Sequence, residues 1–451
     1  MIPYKKLIFL ICCLPLTAGC WDNLEVEDRS FVTGIAIDLA TNKDNNKPAP
    51  SEESAAERDS QGQQQQNSQQ QSNQPSSGQE RIKQNQNESS LQTDERVLNY
   101  EKDEDYEQNE NNKFKLTQQL LNPSTFSSQQ NTNNSNATSF RNLSQTGDTI
   151  IEMNRDMIKQ AGSRTNVTHL NIVLFSEALA KEEYLFADLM DIFLREKEML
   201  RSVKIAITEE QSSDYLSILP ENEKVPSKYL SKVLENKSTL DIAQPLTVGN
   251  VQSYLLMNRS FIIPFISQVN TTTVNYDGVS VYSGIKNKVV GNLIGDEAKG
   301  VNFIQSKNQT GTINTKLDDH DVTFEILNIQ SKISLKDKKM PLQFDIKIDV
   351  ASGVAEQYGH LDVMKEENYQ KLKSTLEKEI KEITEHTISI LQNELYTDVI
   401  GLNTYLYEKH YPLWKSIKEE WEEGQHYFIK SDIQVDVNAT IEKPGNIIKS
   451  H

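Results

Sequence analysis

Cysteine is nearly missing from this sequence. Its 451 residues hold three, Cys12, Cys13 and Cys20, and the first two sit inside an apolar N-terminal run. With that run removed only Cys20 remains, which excludes a disulfide framework and a thiolate metal site. Histidine is almost as sparse. Of the seven, at 169, 320, 360, 386, 410, 426 and 451, none stands at metal-ligand spacing from another. Glu382 and His386 share a helical spacing of four, which reads as a solvated face. Basic charge is in deficit, with 47 Lys and Arg against 65 Asp and Glu and a net charge of −18. That sign excludes nucleic acid as a natural partner and argues against a body lying flat on anionic headgroups. Beyond the N-terminus no apolar run reaches the length of a membrane span, and the strongest, FIIPF at 261–265, reads as a buried strand. A Gly-rich phosphate loop, a GxSxG elbow and an HExxH pair are all absent. The chain is therefore expected to carry no catalytic residue, no metal and no cofactor.

What is present begins at the N-terminus. Met-Ile-Pro-Tyr-Lys-Lys leads into LIFLICCLPL and then Thr-Ala-Gly-Cys. A short cationic segment, about ten apolar residues and small residues before a cut describe a signal peptide. Gly19 directly before Cys20 marks a lipoprotein signal at 1–19, with S-diacylglycerol and an N-acyl chain on Cys20. Acyl chains of this kind contribute ~0.8 kcal/mol per buried methylene, so two hold a protein where one holds it marginally. Thr17 stands where such signals usually carry Leu, Val or Ile. The competing reading is an ordinary secretory signal cut near Ala18, with Cys20 a free thiol. Asp22, Glu25, Glu27 and Asp28 follow the anchor and read as a solvated stretch.

The pattern after Cys20 is α+β and multi-domain, with about three mixed domains expected. An N-terminal domain is assigned to 20–208. Residues 31–38 form an apolar, β-branched strand. Residues 41–112 are so rich in Gln, Asn, Ser and acid that they have little to bury, and are expected to be disordered. KFKLTQQLLNP at 113–123 reads as the next strand, which makes the polar tract a loop within one domain. Stretching a loop from ~10 to ~70 residues costs only about 1.7 kcal/mol. A helix from Asp148 to near Gly162, a strand at 169–176, a single amphipathic helix at 177–196 and a strand at 202–208 complete the alternation. Residues 209–275, broken by prolines, read as a small middle domain or connector. A C-terminal domain is assigned to 276–446. It holds strands from 276 to 358, a long helix at 366–396, short helices near 402–407 and 413–421, and a closing strand at 429–441. Leu372, Leu376, Ile380, Ile383, Ile388, Leu391 and Leu395 make one stripe on the long helix. An antiparallel sheet covered by that helix is the expected architecture. Trp414 and Trp421 are expected to seat the short helices on the core.

Cys20-Trp21-Asp22, FVTGIAID, HLNIVLFSEALAKE with FLRE, and TDVIGLNTYL with YPLWKSIKEEW follow one another in an order that resembles the spore germination C-subunit lipoproteins, the Ger(x)C family. The resemblance spans nearly all the mature chain apart from the Gln/Asn insert. It implies three α/β domains and a non-enzymatic component of a nutrient germinant receptor. It also implies a lipid anchor on Cys20, polytopic A- and B-type partner subunits, and a place at the outer face of the spore inner membrane. The alternative left open is a lipid-anchored ligand-binding protein that captures a nutrient directly.

Overall fold

The computed structural model describes residues 29–41, 113–122, 138–236, 239–306, 310–318, 320–357 and 365–442. Cys20, the signal segment, the acidic residues after the anchor and all but the first residue of the polar tract lie outside them.

The first two thirds of the chain build one mixed sheet. Its strands are β1 (Arg29–Leu39), β2 (Phe114–Leu121), β3 (Phe140–Gly147), β4 (Arg164–Asn166), β5 (Ile172–Ser176), β6 (Lys204–Thr208), β7 (Leu246–Thr247), β8 (Phe261–Gln268), β9 (Val274–Ser283) and β10 (Lys288–Ile294). The spatial order is β10-β9-β8-β6-β5-β1-β2-β3, with β4 beside β1 and β7 beside β6. β1, β5, β6 and β8 run parallel. Between them lie the helices α1 (Ile150–Ala161), α2 (Glu177–Ala180), α3 (Leu185–Arg195), α4 (Ser212–Tyr215), α5 (Pro226–Glu235) and α6 (Val248–Leu256). Both faces of the central strands are covered, so they carry continuous apolar runs rather than alternation. Val173, Phe175, Ile205 and Ile207 pack against Phe186, Leu189 and Met190 of α3. Ile172, Leu174 and Ala206 pack on the other face against Tyr215, Leu230 and Leu234.

The chain next forms α7 (Asp296–Gln305) and a second sheet of β11 (Gly311–Leu317), β12 (His320–Asp337), β13 (Gln343–Gln357) and β14 (Asp432–Glu442), in that order. The helices between β13 and β14 are α8 (Glu366–Ile390), α9 (Leu402–Lys409), α10 (Tyr411–Ile417) and α11 (Tyr427–Lys430). The stripe read on α8 is the buried one. Leu372, Leu376, Ile380 and Leu391 are at most 1 % exposed and share a core with Phe344, Ile346 and Ile348 of β13.

Four local expectations change. The second sheet is not wholly antiparallel, because β14 runs parallel to β13. The intervening α8 crosses the face and returns the chain in its starting direction, as a crossover connection does. The helix expected at 177–196 is two, α2 and α3, parted at Tyr184, which adopts a left-handed φ of 65°. The first helix is capped by Thr149, whose side chain accepts from Glu152 N–H, and not by Asp148. α8 ends in a π turn, Leu391–Leu395, before the left-handed Tyr396. Strand pairing also crosses both of the divisions expected near 208 and 275. β8 joins β6, and β9 with β10 extends the large sheet instead of opening the second one. Pro264 is tolerated in β8 because the ladder to β6 holds only the Phe265 and Ile266 positions.

Candidate functional site

The largest concentration of buried charge lies where the two sheets meet, in the run from 397 to 422 that carried part of the family resemblance. Gly401, at φ 94°, turns the chain into α9. Asp398 caps that helix. Its Oδ1 accepts from Gly401 N–H at 3.0 Å and Leu402 N–H at 3.3 Å, and its Oδ2 from Asn403 N–H at 2.7 Å. Trp421 Nε1 donates to the same Oδ2 at 3.0 Å. Four donors thus satisfy a fully buried carboxylate, the condition under which burying one is tolerable. Burial pushes the Asp398 carboxyl above its ordinary value, and these donors pull the other way.

Glu422 joins this cap to the large sheet. Its Oε1 accepts Asp398 N–H at 2.9 Å, and Ser260 Oγ donates to the carboxylate from 3.1 and 3.0 Å. Ser260 stands just before β8 and accepts Gly284 N–H, from the β9–β10 turn, at 3.1 Å. One side chain therefore ties the last helices to two turns of the first sheet. Burial and the neighbouring Asp398 charge push the Glu422 carboxyl up to about 8, against the Asp398 N–H, Ser260 and Lys286. Trp421 is 2 % exposed and packs edge-on to Phe344 and Trp414. That packing matches the seating role expected of the two tryptophans.

A third buried carboxylate, Asp38, ends β1. It accepts from Ser212 N–H at 2.6 Å and Ser213 N–H at 3.0 Å, fastening the crossover that follows β6. Burial raises its pKa as well. Neither Glu422 nor Asp38 was visible as a site in the sequence, since Ser260 is 162 positions from Glu422 and Ser212 is 174 from Asp38. The one local signal was an Asp three residues ahead of Gly-Leu-Asn, which is cap spacing.

The Glu382–His386 pair does not form a site. Glu382 faces Lys378 at 3.6 Å, while His386 is exposed and its nearest acid is Glu297 at 4.0 Å. Glu382 borders an open cleft of about 410 Å³ between β11 and α8, together with Thr315, Lys316, Thr375, Lys378 and Glu379. Thr315 Oγ1 donates to Glu379 at 3.0 Å there. Among the described residues no three His, Cys, Asp or Glu are grouped as metal ligands, and no helix is long and apolar enough to cross a membrane. The seam is thus built to hold elements together, with its acceptors occupied by backbone and side-chain donors.

Two sheets joined by this seam define a class. The family model described as "Spore germination protein N-terminal domain" matches residues 105–268, and "Spore germination B3/ GerAC like, C-terminal" matches 277–445. The chain belongs to this spore germination family. Spore germination protein A3 of Bacillus subtilis (strain 168) is 25% identical over 445 residues, 98% of each chain. Spore germination protein YndF of the same organism is 24% identical over 311 residues, 68% of this chain and 76% of its own. Spore germination protein B3 is 24% identical over 341 residues, 74% and 88%. A crystal structure of the GerBC protein shares the fold, with a TM-score of 0.53, 21% identity, and coverage of 73% of this chain and 94% of that one.

Proposed function

We propose that this chain is a lipid-anchored C-subunit of a nutrient germinant receptor, acting without enzymatic turnover beside polytopic A- and B-type subunits. The observation that carries the reading is the end-to-end match with spore germination protein A3, 98% of both chains. The signal pattern ending in Gly19-Cys20 supports the anchor, on the exported side of the membrane. The buried carboxylates support an adaptor role over catalysis, because their oxygens are committed to helix caps and to the seam. Among the described residues, the polar cleft beside α8 is a place where direct nutrient capture would be sought. A saturable heat of binding for a nutrient on the isolated protein would move the reading in that direction.

The anchor is tested by its chemistry. Mass spectrometry of the mature N-terminus should find the mass of a diacylglycerol plus one N-acyl chain on Cys20, and Cys20→Ala should take up no labelled fatty acid. Spores carrying that variant should respond more slowly to nutrients acting through this receptor. A wild-type protein with a free Cys20 thiol would overturn the anchored reading.

A further inference from the structure

Six of the fourteen exposed large apolar and tyrosine side chains among the described residues gather at one seam: Leu256, Met257, Ile285, Tyr396, Tyr407 and Tyr411. Leu256 and Met257, 79 and 62 % exposed, form the tip of the turn between α6 and β8. Ile285 lies in the adjoining β9–β10 turn, which touches the first through Gly284 and Ser260. The tyrosines come from the C-terminal helices. Arg259 lies 5.9 Å from the Tyr407 ring, Lys286 5.6 Å from the Tyr396 ring, and Tyr407 packs edge-on to Tyr411. An aliphatic tip ringed by tyrosine and basic side chains is the composition found where proteins meet the headgroup layer of a bilayer. α6 itself, VGNVQSYLL, carries no charge.

Topology says which way this seam faces. β1, β5, β6 and β8 are parallel, so their starts share one rim of the large sheet. β9 is antiparallel to β8, with Tyr282 opposite Phe261, so its end and the 284–287 turn reach the same rim. Neighbouring strands twist by roughly 20–25°, which fans this rim without turning it over between β1 and β8. β1 starts at Arg29, nine residues after Cys20. Nine residues reach at most about 30 Å, and three strand spacings from β1 to β8 add about 14 Å sideways. An anchor at Cys20 therefore presents this rim to the bilayer.

Basic side chains line part of this rim. Arg164 pairs with Arg29 at the start of β1, Arg201 precedes β6, and Arg259 and Lys286 flank the tip. Acids stand there too: exposed Glu182 and Glu183 precede Tyr184, whose N–H donates to Asn287 O in the 284–287 turn, Glu196 and Glu198 precede β6, and Glu235 pairs with Lys204 at 2.6 Å. Glu209, Glu210 and Asp214 stand at the opposite rim, after β6.

We propose that this rim is a second membrane contact: Leu256 and Met257 enter the headgroup layer of an anionic bilayer while Arg259 and Lys286 face lipid phosphates. The orientation rests on the anchored reading above, but binding by the rim does not need the lipid. The test uses residues 20–451 with Cys20→Ser, so that no acyl chain contributes, in flotation with phosphatidylcholine vesicles with or without phosphatidylglycerol. Binding is expected only with phosphatidylglycerol, and it should weaken with salt. Leu256→Asp with Met257→Asp, or Arg259→Glu with Lys286→Glu, should reduce it at least about tenfold, and Leu327→Asp on the second sheet should not. Near-ultraviolet circular dichroism checks folding, and Leu256→Ser with Met257→Ser replaces a pair that unfolds. No binding by the parent protein, or binding indifferent to the rim variants, overturns the proposal. So does rim-dependent capture of a second copy or a membrane protein without vesicle binding. Failure here with lipid found on Cys20 leaves the anchor intact, and vesicle binding with Cys20 unmodified removes the anchor alone.

Discussion

Glu422 is one carboxylate on which both sheets depend. Its ordinary value of 4.5 is raised to about 8, so between those pH values the folded protein holds a proton that the unfolded chain has released. Stability from this group is full below about 4.5 and drains away as pH rises through about 8, at up to roughly 1 kcal/mol per pH unit. Asp398, also raised, adds in the same direction over its own range. His410, whose pKa is lowered, works oppositely, so the useful quantity is a difference between variants. Glu422→Gln keeps an oxygen for Asp398 N–H but cannot titrate. Urea midpoints of the parent protein should fall relative to Glu422→Gln from about pH 5 to about pH 8. Parallel curves for the two proteins would show that Glu422 is not held protonated.

At the scale of elements, the tightest approach lies between α7 and α8. Thr387 Oγ1 donates to Glu297 O at 3.1 Å, and Gly300 faces the same turn. A methyl on Gly300 would sit 2.7 Å from Thr387 Cβ and 3.1 Å from Ile383 O, closer than side chains pack. Gly300→Ala should cost about 1–3 kcal/mol through overpacking, read as a lower urea midpoint. Gly353→Ala, which meets nothing within 4 Å, is the control that should lie within about half a kcal/mol. An unchanged midpoint for Gly300→Ala would mean the helices are further apart. These elements differ in how legible they were. The stripe on α8 was plain because one period repeats for long enough to count, and β1, β5 and β6 were plain as short continuous apolar runs rich in β-branched residues. The break at Tyr184 was hidden, since left-handed backbone at a tyrosine has no composition signal. The parallel entry of β14 was hidden as well, because strand direction follows from where a crossover lands. The seam was unreadable for a related reason: Ser260, Asp398 and Glu422 meet only after both sheets exist.

For the whole molecule, net charge misled where its distribution informs. A total of −18 suggested that the body avoids anionic surfaces, yet Arg259 and Lys286 flank the exposed tip made by Leu256 and Met257. The polar insert is a second whole-molecule feature. Leu39 pairs with Phe114, and Ala40 N–H donates to Lys113 O at 3.1 Å, so the two ends of the insert already meet as a hairpin would. Replacing 42–112 by a short turn should leave the melting temperature unchanged or raise stability by up to about 2 kcal/mol through the shorter closure. A large loss on calorimetry would show that the insert contributes contacts. The late strand β14 has a consequence for biogenesis. It pairs with β13 across 74 intervening residues, 358–431, and closes the second sheet within the last twenty residues of the chain. On the proposed export route, a chain emerging N-terminus first can settle the large sheet early, while β13 waits with one edge unpaired until β14 follows. During that interval Phe344, Ile346 and Ile348 are open to wrong partners, so folding factors should matter most to the C-terminal third.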